Sequence, residues 1–129
     1  MYKKAFFFRQ NRQLKKINLD EIIYLEAAKN YTKLYTSDEN KPYTVRLTLI
    51  EAMKLLPIDK FLRVHRSYVV AADHIDSVAR DIVRIANSEV ELPVSRMYYA
   101  AFTKQVIILD SADIDLRRKR MINARKRKG

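Results

Sequence analysis

One short stretch of the chain, residues 61–70 (FLRVHRSYVV), sets cationic and hydrogen-bonding side chains directly beside apolar ones. Arg63, His65 and Arg66 can all donate hydrogen bonds. The β-branched and aromatic residues that follow are typical of a strand, which would present this charged end to whatever lies outside the sheet. The same residues also allow a simpler interpretation, in which the apolar side chains form core and the arginines are solvated charges.

The chain offers little material for catalysis or metal binding. His65 and His74 are the only histidines and there is no cysteine, so a zinc ion would lack its usual ligands. His65 and Ser67 can share a strand face, yet the glycine elbow and oxyanion-hole motif of a hydrolase are missing. The one glycine is Gly129, whereas phosphate loops need several. The sequence therefore predicts a binding protein and not an enzyme, with no cofactor, metal or small-molecule substrate.

The elements that must position these side chains are mostly short strands. Apolar or alternating runs recur along the chain and are separated by polar turns, which is typical of an all-β fold. In residues 31–36, for example, Tyr31, Lys33 and Tyr35 would lie on one face of a strand and the residues between them on the other face. Besides the apolar part of residues 61–70, the predicted strands are residues 5–8, 13–17, 22–25, 31–36, 43–47, 75–79, 82–86 and 89–92.

Two short helices are predicted between the strands. Thr48 and Glu51 have the spacing of a capping box, and Pro57 ends the apolar stretch that follows. Ser95 can cap a second helix with an apolar stripe that extends to Leu109. Neither helix has the paired spacing of a helix-turn-helix or an exposed basic face suited to a major groove, so recognition from loops is favoured.

The positive charge is concentrated at the end of the chain. Of 26 Lys and Arg and 15 Asp and Glu, eight basic and no acidic residues lie in residues 117–129. The first 116 residues therefore hold 18 basic and 15 acidic groups, a net charge of +3. We expect one domain over residues 1–109 and a basic tail over residues 110–129. The tail would bind phosphates without regard to sequence, or it is a solubilising end.

From the sequence we expect neither a membrane segment nor a secretory leader. No apolar run approaches the roughly 18 residues that a membrane span needs, and the start, MYKKAFFFRQ, has only four apolar residues in a row. Together with the lack of cysteine, this favours a cytoplasmic protein without a membrane partner.

Residues 61–70 resemble the signature of the LytTR family of bacterial DNA-binding domains, F-x-R-x-H-[RK]-S-[YF]-[IV]-V-N. Ala71 departs from it, so a turn or cap held by the usual asparagine amide is not expected. The resemblance continues over residues 17–36 and 91–102 and covers roughly residues 5–108. It implies an elongated all-β fold of about ten short strands in small antiparallel sheets, with one or two short helices, that binds double-stranded DNA through loops.

The resemblance implies three segments that contact DNA. In the first, the Asn30 amide can pair with adenine and the Tyr31 phenol can bond a phosphate, with Lys29 and Lys33 on either side. Asn30 can also simply form the turn between two strands.

In the second segment, Arg66 is the leading candidate, because its planar guanidinium group can bond O6 and N7 of guanine together. His65 and Ser67 lie beside it in the sequence. For His65, a structural hydrogen bond to a neighbouring strand is favoured over a phosphate contact. Arg63 is expected to be an ion-pair partner that orients the loop.

In the third segment, Arg96 opens the last helix and can reach a second groove, while Ser95 and the free amides of the helix start favour phosphate. The family further implies a sequence-specific transcriptional regulator, the output part of a two-component response regulator. Such proteins bind paired direct repeats as a homodimer and carry a receiver domain ahead of this part; whether the chain stands alone stays open. The alternative is a β-rich interaction module whose basic tail binds nucleic acid non-specifically.

Overall fold

A computed structural model describes residues 5–37 and 41–109. The predicted basic tail, residues 110–129, lies outside this part of the chain. Within it, ten strands and two α-helices follow one another, with 3-10 turns at Leu19–Glu21 and Ala72–His74. In chain order the elements are β1 (Ala5–Gln10), β2 (Gln13–Asn18), β3 (Ile22–Ala28), β4 (Tyr31–Thr36), β5 (Tyr43–Val45), α1 (Leu49–Leu55), β6 (Phe61–His65), β7 (Tyr68–Ala71), β8 (Ile75–Val78), β9 (Ile82–Ile85), β10 (Glu91–Pro93) and α2 (Arg96–Gln105).

The strands form three antiparallel sheets. β1 and β2 pair with each other, β8, β9 and β10 form a three-stranded sheet, and the central sheet has the order β5-β4-β3-β7-β6. The predicted all-β fold of small antiparallel sheets with two short helices is confirmed. In the central sheet β7 pairs with β3, so the hairpin β6–β7 lies beside the hairpin β3–β4.

The central sheet separates two hydrophobic clusters. Successive residues of β7 belong to different clusters, Val69 to the first and Val70 to the second, because side chains alternate between the two faces of a strand. The first cluster includes residues of β1, β2 and α1, and the second includes residues of β8 to β10 and α2. Thr32 and Leu34 of β4 are buried while Tyr31 is exposed, as the alternation predicts.

Several turns adopt left-handed backbone angles without glycine. Asn11 and Arg12 have φ of 50° and 65° in the two-residue connection between β1 and β2. Positive φ at both positions matches the twist of the flanking strands. Lys29 and Asn87 each have φ of 57°. Asparagine tolerates this region better than other non-glycine residues, so the two basic residues are the less expected occupants.

The helix caps agree with the predicted ones. The Thr48 hydroxyl accepts from the Glu51 amide at 3.2 Å, and the Thr48 amide donates to Oε1 of Glu51 at 3.0 Å, which completes the capping box. Ser95 Oγ accepts from the Tyr98 amide at 3.4 Å. Ala71 precedes the turn Ala72–His74 and gives it no side-chain cap, which agrees with the expectation for a residue that replaces asparagine.

Some boundaries differ from the predicted ones. β5 ends at Val45, two residues early, because the Leu47 amide turns back to the Val45 carbonyl. β10 starts at Glu91, since the Ser88 hydroxyl accepts from the Val90 amide and prolongs the turn. α2 ends at Gln105, so Leu109 does not continue its apolar stripe and is 85% exposed.

Candidate nucleic-acid interface

The first predicted segment forms the tip of the hairpin β3–β4. Ala28 pairs with Tyr31, and Lys29 and Asn30 make the two-residue connection between them. Lys29 has φ of 57°, and both tip residues are exposed. Two strands therefore present the Lys29 and Asn30 side chains to solvent. Lys33, the fourth predicted residue, is half-buried and lies opposite Glu26 of β3.

The second predicted segment forms the tip of the hairpin β6–β7, which contains Arg66 and Ser67. The Ala27 amide of β3 donates to the Ser67 carbonyl at 2.8 Å. This bond joins the second tip to the strand that carries the first tip. The two predicted segments therefore lie next to each other at one end of the central sheet, with Arg66 exposed.

Arg63 holds the second tip in place through backbone carbonyls. Its Nε donates to the His65 carbonyl at 3.3 Å and its Nη2 to the Arg66 carbonyl at 2.6 Å. Its guanidinium carbon lies 5.2 Å from the ring centre of Tyr98 in α2. Arg63 thus orients the loop, but the predicted ion pair is wrong, because the acceptors are carbonyl oxygens of the turn itself.

His65 forms a hydrogen bond inside its own turn, whereas the sequence favoured a bond to a neighbouring strand. Its Nδ1 accepts a hydrogen bond from the Ser67 amide at 3.1 Å, and this bond stabilises the turn between β6 and β7. Its ring lies 5.8 Å from that of Tyr68. The second histidine is also engaged, since His74 Nε2 donates to the Asp20 carbonyl at 2.8 Å.

A carboxylate that the sequence analysis did not single out lies beneath both tips. Oε1 of Glu26 accepts from the Tyr35 hydroxyl at 3.0 Å, and Oε2 accepts from the Tyr68 hydroxyl at 2.8 Å. Tyr24 stacks on Tyr35 with 4.2 Å between ring centres. Glu26 therefore connects β4, β3 and β7, the strands that carry both tips. The alternation of β3 places Tyr24 and Glu26 on one face, which was the available sequence signal.

The phenols of this group bind their protons tightly. Burial, followed by the hydrogen bond to Glu26, raises the pKa of Tyr35 well above its usual range. The hydrogen bond to Glu26, followed by burial, raises the pKa of Tyr68. Both phenols remain donors at neutral pH, so the arrangement under the tips is fixed by charge-assisted hydrogen bonds.

The third predicted segment is the start of α2. The Ser95 amide donates to the Val64 carbonyl at 2.9 Å, two residues from the exposed Arg66. Arg96 is the first residue of α2 and is exposed. The structure thus brings the three predicted segments into one row, from the β3–β4 tip through the β6–β7 tip to the start of α2. The roles of the side chains in DNA binding stay predictions.

Neither a metal-binding cluster nor a membrane-spanning helix is found in the part of the chain that the structure describes. It contains no group of three or more His, Cys, Asp or Glu side chains placed to hold a metal ion. None of its helices is long and apolar enough to cross a bilayer.

Known proteins are similar to this chain in sequence and in fold. A family model described as the LytTr DNA-binding domain matches residues 12–107. The CO-responsive transcriptional regulator RcoM of Rhodospirillum rubrum is 35% identical in an alignment of 83 positions that covers 54% of this chain and 34% of RcoM. The sensory transduction protein LytT of Bacillus subtilis is 33% identical in an alignment of 86 positions that covers 64% of this chain and 35% of LytT.

A solved structure with a similar fold is a domain of the same family. The LytTr DNA-binding domain from Bacillus cereus has a TM-score of 0.69 and 28% identity to this chain, over 81% of this chain and 97% of that domain. RcoM and LytT are longer proteins, and this chain spans about a third of their length.

Proposed function

The chain belongs to the LytTR family of DNA-binding domains, and from this we propose that it is a sequence-specific transcriptional regulator that reads double-stranded DNA with two hairpin tips and the start of α2. One observation carries the proposal. The Ala27–Ser67 and Ser95–Val64 hydrogen bonds join the three segments side by side at one end of the central sheet. Separate polar side chains can therefore act on one stretch of duplex.

The spacing of the tips suits a major groove. The hairpins β3–β4 and β6–β7 are neighbours in the central sheet, so their centres are two strand spacings apart. Two spacings amount to about 10 Å, and the major groove is about 12 Å wide. Both tips can thus address the base edges of one groove, while α2 meets the flanking stretch.

Within this arrangement the predicted side chains fall into two groups, those that suit bases and those that suit phosphates. Arg66 suits guanine, because its fork can bond O6 and N7 together, and the Asn30 amide suits adenine. Lys29, Tyr31 and Lys33 favour the phosphates that flank these bases. Ser67 and Ser95 can add phosphate contacts through their hydroxyl groups, whereas His65 stabilises the turn.

Selection of duplexes from a random pool, followed by point variants, tests the proposal. Arg66→Ala and Arg96→Ala should each lower the preference for the selected duplex over random DNA by about 5- to 160-fold, since one bidentate base contact is worth roughly 1 to 3 kcal/mol. Because both side chains are exposed, the melting temperature should stay within about 3 °C of wild type.

Arg84→Ala serves as the matched control, because Arg84 is exposed but lies on β9 beside Glu91 at 3.9 Å. It should leave the preference unchanged. If Arg66→Ala and Arg96→Ala weakened binding to selected and random duplexes equally, these two arginines would not read bases and the proposal would be wrong.

We further propose that two copies of the domain bind paired direct repeats as a homodimer on DNA. One row of tips covers one short half-site, and a second half-site in the same orientation would double the contacts. Sedimentation of the protein with duplexes that carry one or two copies of the selected motif should show one and two bound chains. A single bound chain on the repeat would contradict this part.

The cellular setting is part of the proposal. The matched relatives are longer than this chain, and LytT is described as a sensory transduction protein. We place this chain in the bacterial cytoplasm, as the DNA-binding part of a response regulator in a two-component system.

A further inference from the structure

A third hairpin tip lies beside the row, and the sequence analysis did not include it. The Ala79 amide donates to the Ile82 carbonyl at 2.7 Å and closes the turn between β8 and β9, with Arg80 and Asp81 at its end. The Val94 amide donates to the Asp81 carbonyl at 2.9 Å. This bond fixes the turn against the residues that lead into α2.

Arg80 and Arg96 line the same open depression, which has a volume of about 640 Å³. They come from separate elements, the β8–β9 turn and the start of α2. Asp81 is the one acidic side chain among the residues that line it. The depression therefore carries a net positive charge.

Neither of these two guanidinium groups is engaged elsewhere within residues 5–37 and 41–109, where no ion pair or hydrogen bond of theirs is found. Two other arginines of the domain are engaged. Arg63 is bonded to carbonyls, and Arg84 lies beside Glu91. Among the described residues, Arg80 is thus an exposed guanidinium group without a partner, and it lines the same depression as Arg96. Its planar set of donors matches the geometry of a phosphate.

The position of Arg80 relative to the row indicates what it meets. The start of α2 contacts β6 through the Ser95–Val64 bond on one side and the β8–β9 turn through the Val94–Asp81 bond on the other. The order along the molecule is therefore β3–β4 tip, β6–β7 tip, α2 start, β8–β9 turn. A duplex that follows the row reaches Arg80 at its far end.

We propose that Arg80 binds a backbone phosphate of the DNA next to the base that Arg96 reads, so that the β8–β9 turn is a fourth DNA contact. This inference rests on the proposed function of the row. A phosphate contact fixes the register of the duplex and adds affinity, but it does not select bases. Its loss weakens binding to every sequence alike.

Arg80→Gln tests the inference, with Arg84→Gln as the control that also removes one exposed arginine charge. Affinities for the selected duplex and for random DNA are measured by fluorescence anisotropy over a range of salt. Arg80→Gln should weaken binding to both duplexes by the same factor. Between about 50 and about 200 mM salt, the advantage of wild type over Arg80→Gln should shrink about 3.5-fold, as expected for one phosphate contact.

Ethylation interference gives a second readout. One phosphate should be found whose ethylation weakens binding of wild type and of Arg84→Gln but not of Arg80→Gln. If Arg80→Gln behaved like Arg84→Gln, or if its loss were confined to the selected duplex, the phosphate contact would be refuted. If wild type showed no sequence preference, the proposed function would fail, yet the comparison of the two variants on random DNA would still decide the role of Arg80.

Discussion

At the scale of single residues, the second tip shows how one arginine can serve both a loop and a helix. Arg63 bonds the carbonyls of His65 and Arg66 and lies over the ring of Tyr98. Its charge is balanced by carbonyl oxygens and by the face of an aromatic ring instead of a carboxylate. The exposed guanidinium of Arg66 is therefore carried by a turn whose backbone is held from two sides.

The Tyr35 phenol should make the domain sensitive to alkaline pH. Burial and the bond to Glu26 raise its pKa in the folded state, while the unfolded chain has the ordinary value near 10. Above about pH 10 the unfolded state loses this proton first, so the free energy of unfolding falls as pH rises through the folded pKa. Tyr35→Phe should flatten this fall in urea unfolding between about pH 9 and about pH 12.

Tyr31→Phe is the control for this experiment, because Tyr31 is 44% exposed at the start of β4 and outside the group around Glu26. It should follow the wild-type curve. Parallel curves for wild type and Tyr35→Phe would show that the Tyr35 phenol does not contribute to the alkaline transition.

At the scale of elements, local patterns could be predicted and pairings between distant strands could not. Alternation along β4 and the capping box at Thr48 depend on neighbouring residues, and both are found as predicted. The place of β7 beside β3 depends on residues about 40 positions apart, for example Tyr68 opposite Glu26, and periodicity does not encode partners. Glu26 and Arg80 were not predicted, because the role of each depends on residues of a neighbouring element.

The site shows the same division. The predicted residues Asn30, Arg66 and Arg96 came from a resemblance of motifs, and their common location follows from hydrogen bonds between hairpins. The carbonyl partners of Arg63 could not be predicted, because these acceptors point toward it only after the turn has formed. The positive φ of Lys29 likewise follows from the two-residue turn and not from its residue type.

The capping box of α1 should contribute measurably to stability. Thr48→Ala removes the hydroxyl that accepts from the Glu51 amide, and loss of such a cap costs about 1 kcal/mol. Thr48→Ser keeps a hydroxyl and should restore most of the loss. The measurement is urea unfolding at neutral pH, in which the midpoint should fall for Thr48→Ala while the slope stays constant. Equal midpoints for Thr48→Ala and wild type would show that the cap does not contribute to the free energy of unfolding.

At the scale of the whole molecule, the central sheet couples the row of tips to both hydrophobic clusters. Val69 packs in the first cluster and Val70 in the second, and the β6–β7 tip begins just before them. The tips are therefore supported from both faces of the sheet. This support allows the tips to keep their positions although they lie in solvent, which a reading surface requires in order to lose little entropy on binding.

The uneven distribution of charge separates selectivity from overall affinity. Residues 1–116 have a net charge of +3, whereas residues 117–129 contain eight basic residues and no acidic one. Deleting residues 117–129 should therefore reduce the slope of log affinity against log salt by several units, because each phosphate contact accounts for about 0.9. The preference for the selected duplex over random DNA should change less than about threefold, since phosphate contacts carry no sequence information.

A full-length variant with the eight basic residues of 117–129 replaced by glutamine separates charge from chain length. It should behave like the deletion in anisotropy titrations over a range of salt, because the effect comes from released counterions. If either variant lost the preference for the selected duplex, the groups that read bases would lie in the tail. The row formed by the two hairpin tips and the start of α2 would then supply only general affinity.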